Sequence, residues 1–153
     1  MAEEIERKFL VTRDTYQSIA EPRLISQAYL NSAPERTTRV RISGDDAWLT
    51  IKSKNQGIQR QEFEYVIPKA DAEALIALAE PGAISKYRYC VPIGNHIWEV
   101  DEFLGDNLGL IVAEIELSHI DEAFEKPDWI GEEVSGDDRY YNSALSRRPF
   151  KDW

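Results

Sequence analysis

Charged residues recur in this sequence at a spacing of two. Glu4, Glu6 and Lys8 occupy alternate positions, as do Arg39 and Arg41, Lys86 and Arg88, Glu99 and Asp101, and Glu114 and Glu116. Between these runs lie Tyr29, then Thr50 with Lys52, then Arg60 with Glu62 and Glu64. Arginine and lysine hold phosphate oxygens by charge-assisted hydrogen bonds. Carboxylates supply the hard oxygen ligands that Mg2+ and Mn2+ prefer. The two sets together could grip a polyanion and a divalent cation at once.

Period two is strand spacing, in which alternate side chains share a face. The intervening positions are apolar: Ile5 and Phe9, Val40 and Ile42, Leu49 and Ile51, Phe63 and Tyr65, Trp98 and Val100, Ile115 and Leu117. The pattern predicts strands over about 3–11, 24–31, 36–43, 47–53, 58–67, 84–91, 96–104 and 110–118. Ser43-Gly44-Asp45-Asp46 and Asn55-Gln56-Gly57 read as hairpin connections. Helices are expected at about 13–20, at 71–80 with Asp71 as N-cap and Pro81-Gly82 as the stop, and at 142–147. A helical turn at 121–124 and a short strand at 132–134 complete the reading.

Eight strands joined by short turns imply an antiparallel meander, open or closed. A sheet with one side in water explains any single strand. It explains less well why basic and acidic pairs segregate by strand, and an open sheet would need its edges protected. The expected fold is mainly β (α+β): an eight-stranded antiparallel closed β-barrel with a polar, charged lumen and a few peripheral helices, residues 1–153 forming one domain. Lone charges in a dry lumen would be costly; a polyanion with metal would satisfy them.

Composition narrows the partners. The 153 residues carry 18 Lys+Arg against 28 Asp+Glu, a net charge of −10, which argues against nucleic acid. At 42% hydrophobic the chain is too apolar for a disordered acidic tail. A single cysteine, Cys90, excludes an internal disulfide and a multi-Cys zinc site. No run approaches the length of a membrane span, and no apolar stretch follows the charged start at Met1, so no membrane contact and a cytoplasmic location are expected. Neither GxxxxGK[ST] nor GxGxxG occurs. His96 and His119 are expected to be solvated, Cys90 to be a packing residue, and Trp48 and Trp98 to lie on the apolar faces. Arg139 and Tyr140 are expected to fix the C-terminal helix against one end of the barrel. Apolar faces with few helices to cover them suggest a homodimer.

Glu4-Ile-Glu-Arg-Lys8 matches the ExExK signature of the CYTH superfamily, the triphosphate tunnel metalloenzymes. The order of the later pairs fits too, and Glu133-Val-Ser-Gly-Asp-Asp-Arg139-Tyr140-Tyr-Asn142-Ser-Ala-Leu145 resembles the ending of short bacterial members. The resemblance implies an eight-stranded tunnel that binds triphosphate with Mg2+ or Mn2+, and metal-dependent hydrolysis of inorganic tripolyphosphate, with nucleoside triphosphates as further substrates. By the same resemblance Glu4, Glu6 and Glu116, with Glu114 close by, provide a metal site. Arg39, Arg41, Lys52, Lys86 and Arg88 hold the phosphates, with Arg60 on the same lumen face. Lys8 contacts a phosphate near the scissile bond, and Tyr29 beside it tunes or orients Lys8 or acts as a proton acceptor. A second metal, or a carboxylate among Glu62, Glu64, Glu99 and Asp101, activates water; Glu99 and Asp101 count also as metal candidates. Class IV adenylate cyclase, thiamine-triphosphatase and a non-catalytic polyphosphate- or nucleotide-binding module are the alternatives.

Overall fold

A computed structural model describes residues 3–153; Met1 and Ala2, where the leader argument began, lie outside that range. The strands are β1 (Glu3–Val11), β2 (Pro22–Asn31), β3 (Arg36–Ser43), β4 (Asp46–Ser53), β5 (Gln59–Val66), β6 (Ile84–Ile93), β7 (His96–Phe103), β8 (Ile111–Glu116) and β9 (Ile130–Glu133). Eight of them pair in the order β5-β4-β3-β2-β6-β7-β8-β1, and β1 returns to β5. The seam is Glu3↔Gln61, Glu4↔Arg60 and Ile5↔Gln59, all antiparallel. The barrel is therefore closed, as expected, while β9 lies against the C-terminal half of β1 outside the ring.

The connectivity is not one continuous meander. β2 to β5 form a run of hairpins, the chain then leaves through helix α1 (Lys69–Ala77) and re-enters beside β2 as β6. That places β1 between β8 and β5, four strands from β2 in either direction. At the β3–β4 and β6–β7 hairpins the partners Ser43↔Asp46 and Ile93↔His96 close two-residue loops. Each loop has glycine at its first position, Gly44 and Gly94, both at φ 61°, which is the requirement of a type II′ turn.

Helix α1 begins two residues before its expected start. Pro68 is its N-cap, and the Ala72 N–H donates to the Pro68 carbonyl at 3.0 Å. Asp71 lies in the first turn, where a carboxylate suits the positive end of the helix. The helix expected at 13–20 is only the 3-10 turn Thr15–Ser18. Its Tyr16 is fully buried and packs edge-on against Tyr89 at 5.2 Å, so tertiary anchoring overrides a segment too short to be helical alone. The helical turn expected at 121–124 does not form: a turn ends at Asp121, with the Glu122 N–H donating to the His119 carbonyl at 3.2 Å, and 122–124 are irregular. The C-terminal helix α2 (Asn142–Arg147) lies where it was expected.

Apolar faces point outward and are covered piecewise. Phe9, Trp98, Val100 and Ile115 lie under the segment between β8 and β9, which contributes Phe124 and Trp129. Trp98 meets Phe9 at 5.4 Å and Trp129 at 6.0 Å, both edge-to-face, the arrangement aromatic quadrupoles favour. Ala72 of α1 covers Val40 and Ala47. Three expectations need correction here. Trp48 shares the parity of Thr50 and Lys52 and pairs with Arg41, so it lies on the lumen side. Cys90 is exposed rather than packed. His96 is not freely solvated: it contacts Glu122 and stands edge-on to Phe124.

One end of the lumen is apolar. Leu10, Ile84, Phe103 and Val112 share the parity of the ionic residues but cluster with Leu110, Tyr140 and Leu145. Tyr140 packs edge-on against Trp153 at 5.0 Å, and Arg139 stacks over Trp153, the structural role expected of this pair. Gly82 has φ +97°, and a Cβ there would sit 1.8 Å from the Ser146 carbonyl oxygen, so glycine lets the exit from α1 pass tightly against α2.

Candidate active site

The barrel encloses a cavity of about 200 Å³. Parity and register aim the charged side chains into it, and its two walls differ. Arg39 and Arg41 of β3 and Lys86 and Arg88 of β6 flank Tyr29 of β2 on one side. Glu4, Glu6 and Lys8 of β1, with Glu114 and Glu116 of β8, form the opposite wall. Glu99 of β7 adjoins the acidic wall, while Thr50 and Lys52 of β4 and Arg60, Glu62 and Glu64 of β5 complete the circuit. All the site residues singled out in the sequence line this cavity except Asp101.

Ion pairs organise the walls. Lys52 lies 3.2 Å from both Glu4 and Glu62, and Arg60 lies 3.4 Å from Glu4. Lys8 pairs with Glu114 at 3.2 Å, and Arg39 approaches Glu64 at 3.8 Å. Arg88 spans Glu99 at 3.0 Å and Asp101 at 2.8 Å, and Lys86 pairs with Asp101 at 2.7 Å. Asp101 thus has both oxygens engaged by cations and does not itself line the cavity. Arg41 has no carboxylate within ion-pair distance among the described residues; its Nε donates to Gln27 Oε1 at 2.9 Å. The buried Nε of Arg39 has no acceptor among the described residues. Buried donors are rarely left unmatched, so this basic wall has spare capacity for an anion.

The electrostatics follow the same division. Burial, then the Arg39 and Arg88 charges, push the Arg41 guanidinium down to about 9. Burial also pulls Lys86 down to about 7, with Arg88 and Arg41 opposing the help of Asp101. Both shifts mark positive charge that a bound polyanion would stabilise. Across the lumen, burial and then the Glu114 charge hold the Glu6 carboxyl well above the usual range. Glu116 is raised by burial and by Glu4. Burial disfavours ionised Glu114, but Lys8 and Arg88 outweigh it and hold that carboxyl well below its usual value.

Glu6 pairs with Glu116 and Lys8 with Glu114 across the β1–β8 ladder, so the carboxylates crowd one another. Among the described residues no three acidic side chains converge as a ready cage for an ion. The donor set nevertheless fits a hard divalent cation in kind: four carboxylates, two of them, Glu6 and Glu116, raised by burial and then by neighbouring carboxylates. Glu4, Glu6, Glu114 and Glu116 are the residues that could hold one.

Sequence reasoning missed four lining residues: Thr37, Tyr141, Asn142 and Ser143. Thr37 was within reach, since it has the parity of Arg39 and Arg41. The other three come from the C-terminal segment, which no strand periodicity governs. The Tyr141 ring lies 5.1 Å from the Lys8 ammonium and 5.8 Å from the Arg60 guanidinium. Lys8 also donates to the Tyr140 carbonyl at 3.3 Å. The Tyr141 ring thus stands over Lys8, while Tyr29 comes from β2, four strands from β1 around the ring, and lines the same cavity.

The CYTH domain family matches residues 2–143. The chain belongs to the CYTH family. An inorganic triphosphatase of Acetivibrio thermocellus is 47% identical over 154 residues, covering 100% of this chain and 99% of that protein. An inorganic triphosphatase of Nitrosomonas europaea is 38% identical over 149 residues, covering 94% of this chain and 96% of that protein. The crystal structure of an inorganic triphosphatase superposes with a TM-score of 0.68 at 34% identity, covering 95% of each chain.

In this CYTH domain Asp101 carries a stability prediction. It is 1% exposed, and although burial opposes its ionisation, Arg88 and then Lys86 hold its pKa down to about 2. A depressed carboxyl stabilises the fold above its ordinary value of 3.8, and that contribution is lost as pH falls through about 2. The shift corresponds to about 2 kcal/mol. Asp101→Ala leaves Lys86 and Arg88 buried without their counter-charge and should cost about 3–5 kcal/mol in urea unfolding at pH 7. A loss below 1 kcal/mol would show that the pair is not structural.

Proposed function

We propose that this protein is a divalent-metal-dependent inorganic triphosphatase that cleaves tripolyphosphate inside the barrel. One observation carries the reading: the lumen opposes a wall of arginine and lysine to a wall of carboxylates, with the β3 arginines incompletely paired among the described residues. The full-length likeness to two inorganic triphosphatases supports the choice of substrate.

Arg39, Arg41, Lys86 and Arg88 bind and orient the phosphate chain, and Lys52 and Arg60 meet it from the opposite side. Glu4, Glu6, Glu114 and Glu116 would hold Mg2+ or Mn2+, which would supply charge neutralisation. Water attacks the terminal phosphorus in line, the anhydride P–O bond breaks, and orthophosphate and pyrophosphate result. Lys8 offsets charge on the departing pyrophosphate, and Tyr141 and Glu114 set its position. The proton of the attacking water goes to a wall carboxylate. We assign that task to Glu99, because burial raises its proton affinity even with Arg88 3.0 Å away.

The test is orthophosphate release from tripolyphosphate, ATP, thiamine triphosphate and pyrophosphate with Mg2+ and Mn2+ in parallel. Tripolyphosphate with metal should turn over fastest. Cyclic AMP and pyrophosphate from ATP would indicate the cyclase, and tight binding without turnover a sensing module; either overturns the reading.

We also propose a homodimer in the cytoplasm. Phe63 and Tyr65 stand exposed on the outward face of β5, Tyr65 at 56%, an apolar surface that a second copy could cover. Among the described residues no helix is long and apolar enough to cross a membrane. Sizing with light scattering at micromolar concentration should give twice the chain mass; a monomeric mass would reject the dimer.

A further inference from the structure

Two amides, one buried and one half-buried, connect the cations of different strands. Gln27 of β2 is 1% exposed and lies on the lumen face opposite Arg41. Its Oε1 accepts from Arg41 Nε at 2.9 Å, and its Nε2 donates to Asn142 Oδ1 at 3.0 Å. The same Asn142 oxygen accepts from Lys86 Nζ at 2.9 Å. Chemistry fixes both amide orientations: arginine and protonated lysine only donate, so an oxygen must face each end of the chain. Gln27 then has only its nitrogen to offer Asn142, which matches.

We propose that Asn142 is a positioning residue for the phosphate-binding cations, holding Lys86 directly and Arg41 through Gln27. The inference rests on the proposed binding of triphosphate in this lumen. Lysine and arginine side chains are long and rotamer-rich, so holding them in advance removes an ordering cost from binding. Beside the Asp101 carboxylate at 2.7 Å, Asn142 gives Lys86 a neutral acceptor that fixes its direction without adding a second negative charge. Because Asn142 opens α2, the grip of the basic wall is tied to the docking of the C-terminal segment.

The experiment measures tripolyphosphate affinity by calorimetry in metal-free buffer, alongside KM with Mg2+. Asn142→Ala should weaken binding about tenfold, the scale of a lost hydrogen bond to a charged group. KM should rise while kcat changes less. Gln27→Met, which fills similar space without an amide, should weaken binding by a smaller factor. In a Lys86→Met/Gln27→Met background, Asn142→Ala should cost less than about twofold, because the groups it positions are gone. Thermal melts identify any variant that does not fold. Wild-type affinity in folded Asn142→Ala would overturn the proposal. So would a tenfold loss that persists in the double background, since Asn142 would then touch phosphate itself or act through general packing. Wild-type protein that binds tripolyphosphate but does not cleave it with metal would sink the proposed hydrolysis alone, and the same affinities would still decide the role of Asn142. Wild-type protein that does not bind tripolyphosphate would overturn both.

Discussion

Glu6→Gln is expected to lose at least a hundredfold in metal-dependent phosphate release while folding as stably as the wild type or more so. The Glu6 carboxyl is pressed by burial, then by Glu114 and Glu4, and no lysine or arginine lies within ion-pair distance of it among the described residues. Its pKa is raised, so its stabilising contribution is complete below the ordinary 4.5, where it is protonated. That contribution is lost as pH rises through the elevated value. Glutamine mimics the protonated state at every pH, so the variant escapes the loss. A gain of about 1 kcal/mol would raise Tm by about 2–4 °C in a chain of this size. Turnover should move the other way, because one electrostatic contact at a transition state is typically worth about 2.7–4 kcal/mol. Greater stability with lost activity marks a residue kept for function. Folded Glu6→Gln with full turnover would remove Glu6 from the metal set.

Arg41→Ala is the second large effect, and it falls on substrate affinity. Arg41 is repelled by two other guanidinium groups, and among the described residues its side chain donates only to the neutral Gln27 oxygen. A phosphate oxygen would supply the missing countercharge in a water-poor site, where such contacts are strong. KM for tripolyphosphate should rise about a hundredfold, on the scale of lost charge-assisted hydrogen bonds. The thermal midpoint should hold, because the substitution relieves repulsion with Arg39 and Arg88. Arg41→Lys should recover only part of the loss, since an ammonium keeps the charge but not the planar fork. An unchanged KM in Arg41→Ala would mean the phosphates lie elsewhere.

Most of the barrel was legible because period two is a strong signal and inverted polarity leaves both faces of each strand distinct. Glu4, Arg41, Lys86 and Glu114 could be assigned to one shared face before any coordinates, since a strand allows only two faces. What periodicity does not carry is order around the ring. The place of β1 between β8 and β5, and hence the separation of Tyr29 from Lys8, depends on α1 leading the chain back beside β2. Asp101 shows a second limit: parity put it on the lumen face, but not whether Arg88 and Lys86 would engage it there. Tyr141 and Asn142 show a third. They reach the site through an irregular segment whose path is set by packing of Tyr140 and Leu145 into the end of the barrel. Tyr16 turned a predicted helix into a single turn for a similar reason: the core claimed its side chain.

The most direct measurement is a crystal structure of the protein grown with tripolyphosphate. The expected result is a phosphate chain inside the lumen, with oxygens within hydrogen-bond distance of Arg39, Arg41, Lys86 and Arg88. Tripolyphosphate bound only on the outer surface, or a lumen holding water alone at saturating anion, would contradict the account.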